Sequence, residues 1–295
     1  MNLSLSRSFP IAKAALAAAV IACTFALACS LIGCASGGTD SSSAGAGNTS
    51  ASTDGKTLRV AMELAYPPFE TKDDAGNPEG LAVDFIRDFG AAYGYDVQIE
   101  NTAWDGLIPS LQSDKADLVI SSMTITDERK QSVDFSDAYA MAQLAILANA
   151  DSGVASIDDL NQPGKKVAVK TGSTGDVYAT KNLTNAEIVR LADESACVTE
   201  VVQGKADGFL YDQLTIYRNH QANPDTTEAV FIPFQDAEEW GIAVKKGNTE
   251  LLDQLNAFIA QSKTDGEFDR LTEKYLADEK KAFDQYGFKW FFDFE

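Results

Sequence analysis

The sequence predicts an α/β protein containing at least two sheets. Strand-like and helix-like stretches alternate along residues 58–276, and one helix–turn–strand unit occurs twice. At 295 residues and 45% apolar content, the chain can form one large or two medium domains and is too apolar to be disordered.

Residues 58–63 read as the first strand. Residues 81–93 place Leu81, Phe85, Phe89 and Ala92 at helical spacing, and 95–99 alternate in polarity as a strand does. A helix over 104–111, a buried strand over 117–120 and a helical turn over 126–131 follow. Further on, 166–170, 187–191, 208–211 and 240–244 are strand-like, while 195–203 and 213–219 are helix-like. Two amphipathic helices, 249–261 and 267–276, complete the pattern.

The repeated unit centres on Lys115-Ala116-Asp117 and Lys205-Ala206-Asp207, each a turn between a helix and a strand. Aligning the two tripeptides sets Ser122 opposite Asp212, each five residues after the Asp. Chance similarity of a short unit is the plain alternative. Taken as a repeat, it gives two lobes that each present polar groups at the carboxyl end of a strand, where open α/β sheets bind ligands. A cleft between the lobes is then the expected site.

The formal charge of −20, from 24 Lys+Arg and 44 Asp+Glu, argues against a nucleic-acid partner, because phosphates would be repelled. A single His argues against His-rich metal sites and a Ser–His–Asp triad, and His220, in a polar stretch, reads as a surface residue. No metal and no cofactor are expected.

Arg7 and Lys13 flank the start of an uncharged run from Ala14 to Gly33, near the length of a spanning helix. Leu31-Ile32-Gly33-Cys34 at its end resembles a bacterial lipobox, so 1–33 is expected to be a lipoprotein signal peptide and Cys34 the lipidated residue; Cys29 fits less well, with Ala26 where an aliphatic residue is wanted. Losing 1–33, with Cys23 and Cys29, leaves 22 Lys+Arg against 44 Asp+Glu, a charge of −22 that anionic lipid repels. Acyl chains, at roughly 0.8 kcal/mol per buried CH₂, would then hold the membrane. Cys197, the one remaining cysteine, has no intrachain partner and lies among apolar neighbours, as a packed core residue does. The Gly/Ser/Ala/Thr stretch up to residue 56 reads as a flexible tether with a reach of roughly 25 Å.

Ser121 to Arg129 is the stretch richest in ligand-binding groups. Ser121 and Ser122 end a strand, Thr126 suits an N-cap, and Arg129 offers a planar fork of donors to a carboxylate. A solvated helix position is the alternative for Arg129, and the N-cap of 213–219 is the alternative for Asp212, an acceptor suited to an ammonium group. Thr171-Gly172-Ser173-Thr174-Gly175 offers amides and hydroxyls to an anion but lacks the spacing of a P-loop. Tyr66, in a Pro-fixed loop, and Trp104 suit the walls of a pocket, whereas Phe69 suits the core.

In this order, Tyr66-Pro67-Pro68-Phe69, Trp104-Asp105-Gly106-Leu107, Ser121 to Arg129, Gly172-Ser173-Thr174 and Asp212 resemble the family 3 extracellular solute-binding proteins, the polar amino-acid-binding proteins of ABC importers. The resemblance covers roughly 57–278. It implies a type II periplasmic-binding fold: two lobes, a double-strand hinge and an interlobe cleft. Lobe one would be 57–142 plus 240–280 and lobe two 143–239. The aromatic segment 281–295 departs from the family by lying beyond its usual end; it reads as a tail folded back on lobe one over an apolar groove, with an exposed patch for partner or permease contact as the alternative. It further implies that Arg129 clamps an α-carboxylate with Ser122, Thr124 and Thr174, that Asp212 takes the α-ammonium, and that Tyr66 and Trp104 sandwich the side chain. Because Arg129 and Asp212 belong to different lobes, a bound zwitterion would favour closure.

Glu63 resembles an Asp of basic-amino-acid binders and Lys170 a Lys of glutamine-type binders, so the two point to different side chains; the alternatives are that Glu63 pairs with Lys170 or faces solvent. The implied partners are a free amino acid, an ABC permease with its ATPase, and the membrane through the lipid anchor, on the outer face of the cytoplasmic membrane. The protein is expected to be a monomer and not an enzyme. A same-fold dehydratase of cyclic acids such as prephenate or arogenate is the rival, with Glu63 as its acid.

Overall fold

The computed structural model describes residues 55–286 and 289–294. The expected signal peptide, the Cys34 lipidation site and the tether as far as residue 54 lie outside the described residues. Among those described, no helix is long and apolar enough to cross a membrane.

The first lobe begins with β1 (Lys56–Met62), which carries Leu58, Val60, Ala61 and Met62 into the core. A short hairpin, β2 (Thr71–Lys72) and β3 (Pro78–Glu79), leads into α1 (Leu81–Tyr93). This helix buries Leu81, Phe85, Ile86 and Phe89 and stops at Gly94, whose φ of 75° suits glycine. After β4 (Tyr95–Asn101), a 3₁₀ turn over Trp104–Gly106 runs into α2 (Leu107–Gln112). Next come β5 (Leu118–Val119), α3 (Asp127–Lys130), β6 (Val133–Phe135) and β7 (Ala140–Ala142).

The second lobe repeats the plan. Its elements are β8 (Leu144–Asn149), α4 (Ile157–Leu160), β9 (Lys166–Lys170), α5 (Thr174–Asn182), β10 (Glu187–Leu191), α6 (Glu194–Val202), β11 (Gly208–Asp212), α7 (Gln213–Ala222) and β12 (Thr227–Val230). The chain then returns through β13 (Glu238–Trp240) and β14 (Ala243–Lys245), and closes with α8 (Thr249–Asp265), α9 (Glu267–Tyr275) and α10 (Ala277–Tyr286).

The sheets run β4-β1-β5-β14-β6 and β10-β9-β11-β8-β12. In each, three parallel strands abut one antiparallel strand that has just crossed from the other lobe: β14 beside β5, and β8 beside β11. The crossing segments pair as an antiparallel ribbon, β7 with β13, which forms the two-strand hinge. The expected single strand over 240–244 is thus two strands in two sheets, broken at Gly241 and Ile242. A Cβ on Gly241 would lie 2.8 Å from the Ile125 side chain.

The Lys-Ala-Asp echo has one structural cause. Arg59 N donates to Asp117 Oδ2 at 2.8 Å while Asp117 N donates to the Arg59 carbonyl at 2.8 Å. In the second lobe, Lys166 N donates to Asp207 Oδ2 at 2.8 Å and Asp207 N to the Lys166 carbonyl at 2.8 Å. Each Asp therefore fastens the start of one parallel strand to the backbone of its neighbour. Strand β11 runs on to Asp212, while β5 ends at Val119 and the chain continues past it to Ser122; Ser122 and Asp212 both line the cleft, from opposite lobes.

The tail packs on the first lobe. Phe283, Trp290 and Phe291 are buried in the cluster that holds Phe69 and Trp240, and Phe291 lies 5.2 Å from Phe69, centroid to centroid. Trp290 Nε1 donates to Thr272 Oγ1 at 3.2 Å, and Met141 N, on the hinge strand β7, donates to the Phe291 carbonyl at 2.7 Å. Cys197 is buried on α6. His220, expected at the surface, is half-buried in the last turn of α7, with Nδ1 3.3 Å from Thr227 Oγ1.

Candidate functional site

Strand ends, helix starts and the hinge converge on a small cleft between the lobes, about 40 Å³ in cavity volume. From the first lobe it receives Tyr66, Trp104, Ser122, Thr124 and Arg129; from the second, Ser173, Thr174 and Asp212. Leu144, Tyr211, Glu238 and Trp240, which the sequence did not single out, line it as well.

Arg129 is placed by the short helix α3. Thr126 is its N-cap, Oγ1 accepting from Arg129 N at 3.2 Å, so the guanidinium turns back toward the strand ends. Nη1 donates to the Thr124 carbonyl at 2.7 Å, and Nη2 crosses the cleft to the Gly172 carbonyl at 3.1 Å. Burial pushes its pKa below the ordinary arginine value, with Glu238 as the first opposing influence, and the group stays cationic. The Trp104 ring faces two cations, with Arg129 at 5.3 Å and Lys170 at 5.1 Å from its centroid.

Asp212 ends β11 and caps α7. Its Oδ1 accepts from Leu214 N at 2.9 Å, Thr215 N at 3.1 Å and, across the cleft, the Tyr66 hydroxyl at 2.7 Å. The sequence posed N-cap and ligand acceptor as alternatives; the geometry has the carboxylate serve as cap while it lines the space. Burial pushes its pKa up, against the hydrogen bond from Tyr66. An ammonium beside it would offset that desolvation.

Ser122 has a φ of 48°, rare for a non-glycine residue, and its Oγ donates to Glu70 Oε2 at 3.1 Å. Glu70 is buried, and that burial raises its pKa well above the usual carboxylate range. The α5 loop is tight: a Cβ on Gly175 would lie 2.4 Å from the Leu210 carbonyl, so glycine lets the helix start approach β11. Ser173 caps this helix, Oγ accepting from Asp176 N at 3.2 Å.

Three expected ligand-binding residues lie outside the lining. The Ser121 hydroxyl is buried and accepts from Glu63 N at 2.9 Å, a backbone contact that fixes the strand end. Glu63 and Lys170 form an ion pair across the lobes, Lys170 Nζ on Glu63 Oε2. The two conflicting hints at the ligand side chain are thereby joined, so this seat offers neither a free acid nor a free cation.

Glu238, on hinge strand β13, is the residue most plainly missed. Its Oε2 accepts from Thr124 Oγ1 at 2.9 Å and Thr174 Oγ1 at 2.7 Å, and its Oε1 from Gln235 Nε2 at 2.6 Å. In the sequence it sits in an acidic run, Asp236-Ala237-Glu238-Glu239, that reads as solvated surface. The only local clue was the Trp two positions on, which marks one buried face of a short strand.

Two mixed α/β lobes, a two-strand hinge and a polar cleft with an Arg and an Asp on opposite sides define a type II periplasmic-binding protein. The chain belongs to the bacterial extracellular solute-binding proteins, family 3, which it matches over residues 58–278. It is 35% identical over 257 residues to a probable histidine-binding protein of Neisseria gonorrhoeae, covering 86% of this chain and 94% of that one. It is also similar to an ancestral arginine-binding protein bound to arginine, at 36% identity and a TM-score of 0.69, covering 75% and 98% of the two chains. A third similar structure is an ancestral amino acid-binding protein described as a precursor of cyclohexadienyl dehydratase, at 38% identity and a TM-score of 0.68, covering 74% and 94%.

Proposed function

We propose that this protein captures a free polar amino acid between its lobes on the outer side of the cytoplasmic membrane, held there by lipid on Cys34, and delivers it to an ABC permease and its ATPase. The observation that carries this reading is the placement of Arg129 and Asp212 on opposite lobes around one cleft. Arg129 with Thr124 and Thr174 suits an α-carboxylate, and Asp212 with Tyr66 suits an α-ammonium. Such a ligand touches both lobes only when they are shut, so its binding energy favours the closed form that a permease would recognise. Trp104 and Tyr66 frame the side chain. Outside the lining, Lys170, 5.1 Å from the Trp104 ring centroid, is paired with Glu63. A side chain that both donates and accepts hydrogen bonds fits an ion pair better than one of a single charge.

The relatives named above as histidine- and arginine-binding proteins support an amino acid as cargo. The dehydratase alternative needs Glu63 as a free acid, and its pairing with Lys170 speaks against that role. A thermal-shift and calorimetric screen of the full chain against the proteinogenic amino acids and L-cystine tests the proposal. At least one should bind without turnover, and Arg129→Ala should abolish every hit. A folded Arg129→Ala variant that retains wild-type responses would refute the assignment.

A further inference from the structure

We propose that Glu238 is a built-in stand-in for the ligand's carboxylate. It occupies the Thr124–Thr174 hydroxyl pair and sets affinity by competing with the incoming amino acid for that seat. The inference rests on the reading of Arg129, Thr124 and Thr174 as the carboxylate seat.

The geometry points to displacement rather than direct ligand recognition. One carboxylate oxygen, Glu238 Oε2, accepts from both hydroxyls, at 2.9 and 2.7 Å, and Thr124 belongs to the first lobe while Thr174 starts α5 of the second. Glu238 thus links both lobes through the atoms that a ligand carboxylate would use. It rises from β13, whose partner β7 is the other hinge strand, so the link is anchored at the pivot itself. Gln235 holds Oε1 at 2.6 Å, which keeps the carboxylate aimed into the cleft. A second carboxylate arriving beside Arg129 would face Glu238 as a like charge, so the ligand binds fully only after Glu238 has let go of the two hydroxyls. Apparent affinity is then reduced by the fraction of molecules in which the seat is occupied. Ligands with a free carboxylate can take over both hydroxyl bonds and the Arg129 charge; neutral carboxamides lack the charge needed to replace Glu238.

Calorimetry on the full chain with L-arginine, L-histidine, L-glutamine and L-cystine as probes tests the idea, alongside hydrogen–deuterium exchange without added ligand. Glu238→Gln keeps the side-chain shape, and Glu238→Ala removes it. Both should bind the accepted probe on the order of tenfold more tightly, the effect of one or two modest hydrogen bonds no longer contested. In the same variants, and in Thr174→Val, amides around Thr124 and in the segment 172–174 should exchange faster than in wild type. Equal or weaker binding by both Glu238 variants overturns the proposal, as does unchanged exchange. Faster exchange with no probe bound by any form, wild type included, would uphold Glu238 as an interlobe link and reject the amino-acid reading, so the two failures are distinguishable.

Discussion

The Tyr66 hydroxyl donates to Asp212 Oδ1 at 2.7 Å, joining a loop after the first strand of one lobe to the last residue of the third parallel strand of the other. Both side chains are buried. This contact closes the inner end of the cleft and aims the carboxylate. Tyr66→Phe should leave the two amide bonds to Asp212 in place and remove only the phenolic one. A stability loss of about 1–2 kcal/mol is expected, with weaker amino-acid binding. Chemical denaturation read beside calorimetry checks this; binding that tightens in the variant would show that the phenol obstructs the seat.

Carboxylates gathered around the cleft make stability depend on pH. Glu194 is pushed up to about 8, first by burial and then by Asp212, and burial also raises Glu70 and Asp212. A raised carboxyl binds its proton more tightly in the folded state. Its favourable contribution is therefore complete below the ordinary carboxylate range and is lost as pH rises through about 8. Denaturant midpoints measured at about pH 6 and pH 9 should fall with rising pH in wild type and fall less in Glu194→Gln. Parallel curves for the two proteins would reject this account of Glu194.

Trp104 stacks its ring near two cations, so its removal acts on the carboxylate clamp as well as on the side-chain wall. At about 0.5–2 kcal/mol for each cation–π contact, Trp104→Ala should weaken binding roughly tenfold or more and reorder preference among amino acids. Trp104→Phe should keep the order and lose part of the affinity. An unchanged ranking in the alanine variant would show that the ring does not meet the ligand side chain.

Asp117 and Asp207 perform the same backbone fastening in separate lobes, and both are partly exposed. Asp117→Asn and Asp207→Asn should each cost about 1–2 kcal/mol of stability, and the double variant should lose close to the sum, since the two sites share no partner. Amino-acid affinity should hardly move. A large loss of binding in either variant would mean that the turn reaches the cleft.

Most elements were legible because their patterning is local. The residue 81–93 helix announces itself by the spacing of Leu81, Phe85 and Phe89, and β9 by its apolar run. The convergence of Tyr66, Trp104, Arg129, Thr174 and Asp212 was legible through ordered motifs rather than periodicity. What stayed hidden depends on contacts made far along the chain. Strand β8 is nearly continuous in apolar residues because both of its faces are covered, so no alternation marks it. Tyr211 and Leu144 look like strand interior and become pocket wall only where their sheet ends. Glu238 could not be told from its acidic neighbours, since its place on a hinge strand is fixed by pairing with residues about a hundred positions earlier.

The backbone tie between Met141 and Phe291 has a practical consequence for anyone building a biosensor on this scaffold. Since the aromatic tail is stitched to one strand of the pivot, a fluorescent reporter fused after Glu295 would tug on the joint whose bending it was meant to register. Labels set into exposed loops away from that seam would report the motion without biasing it.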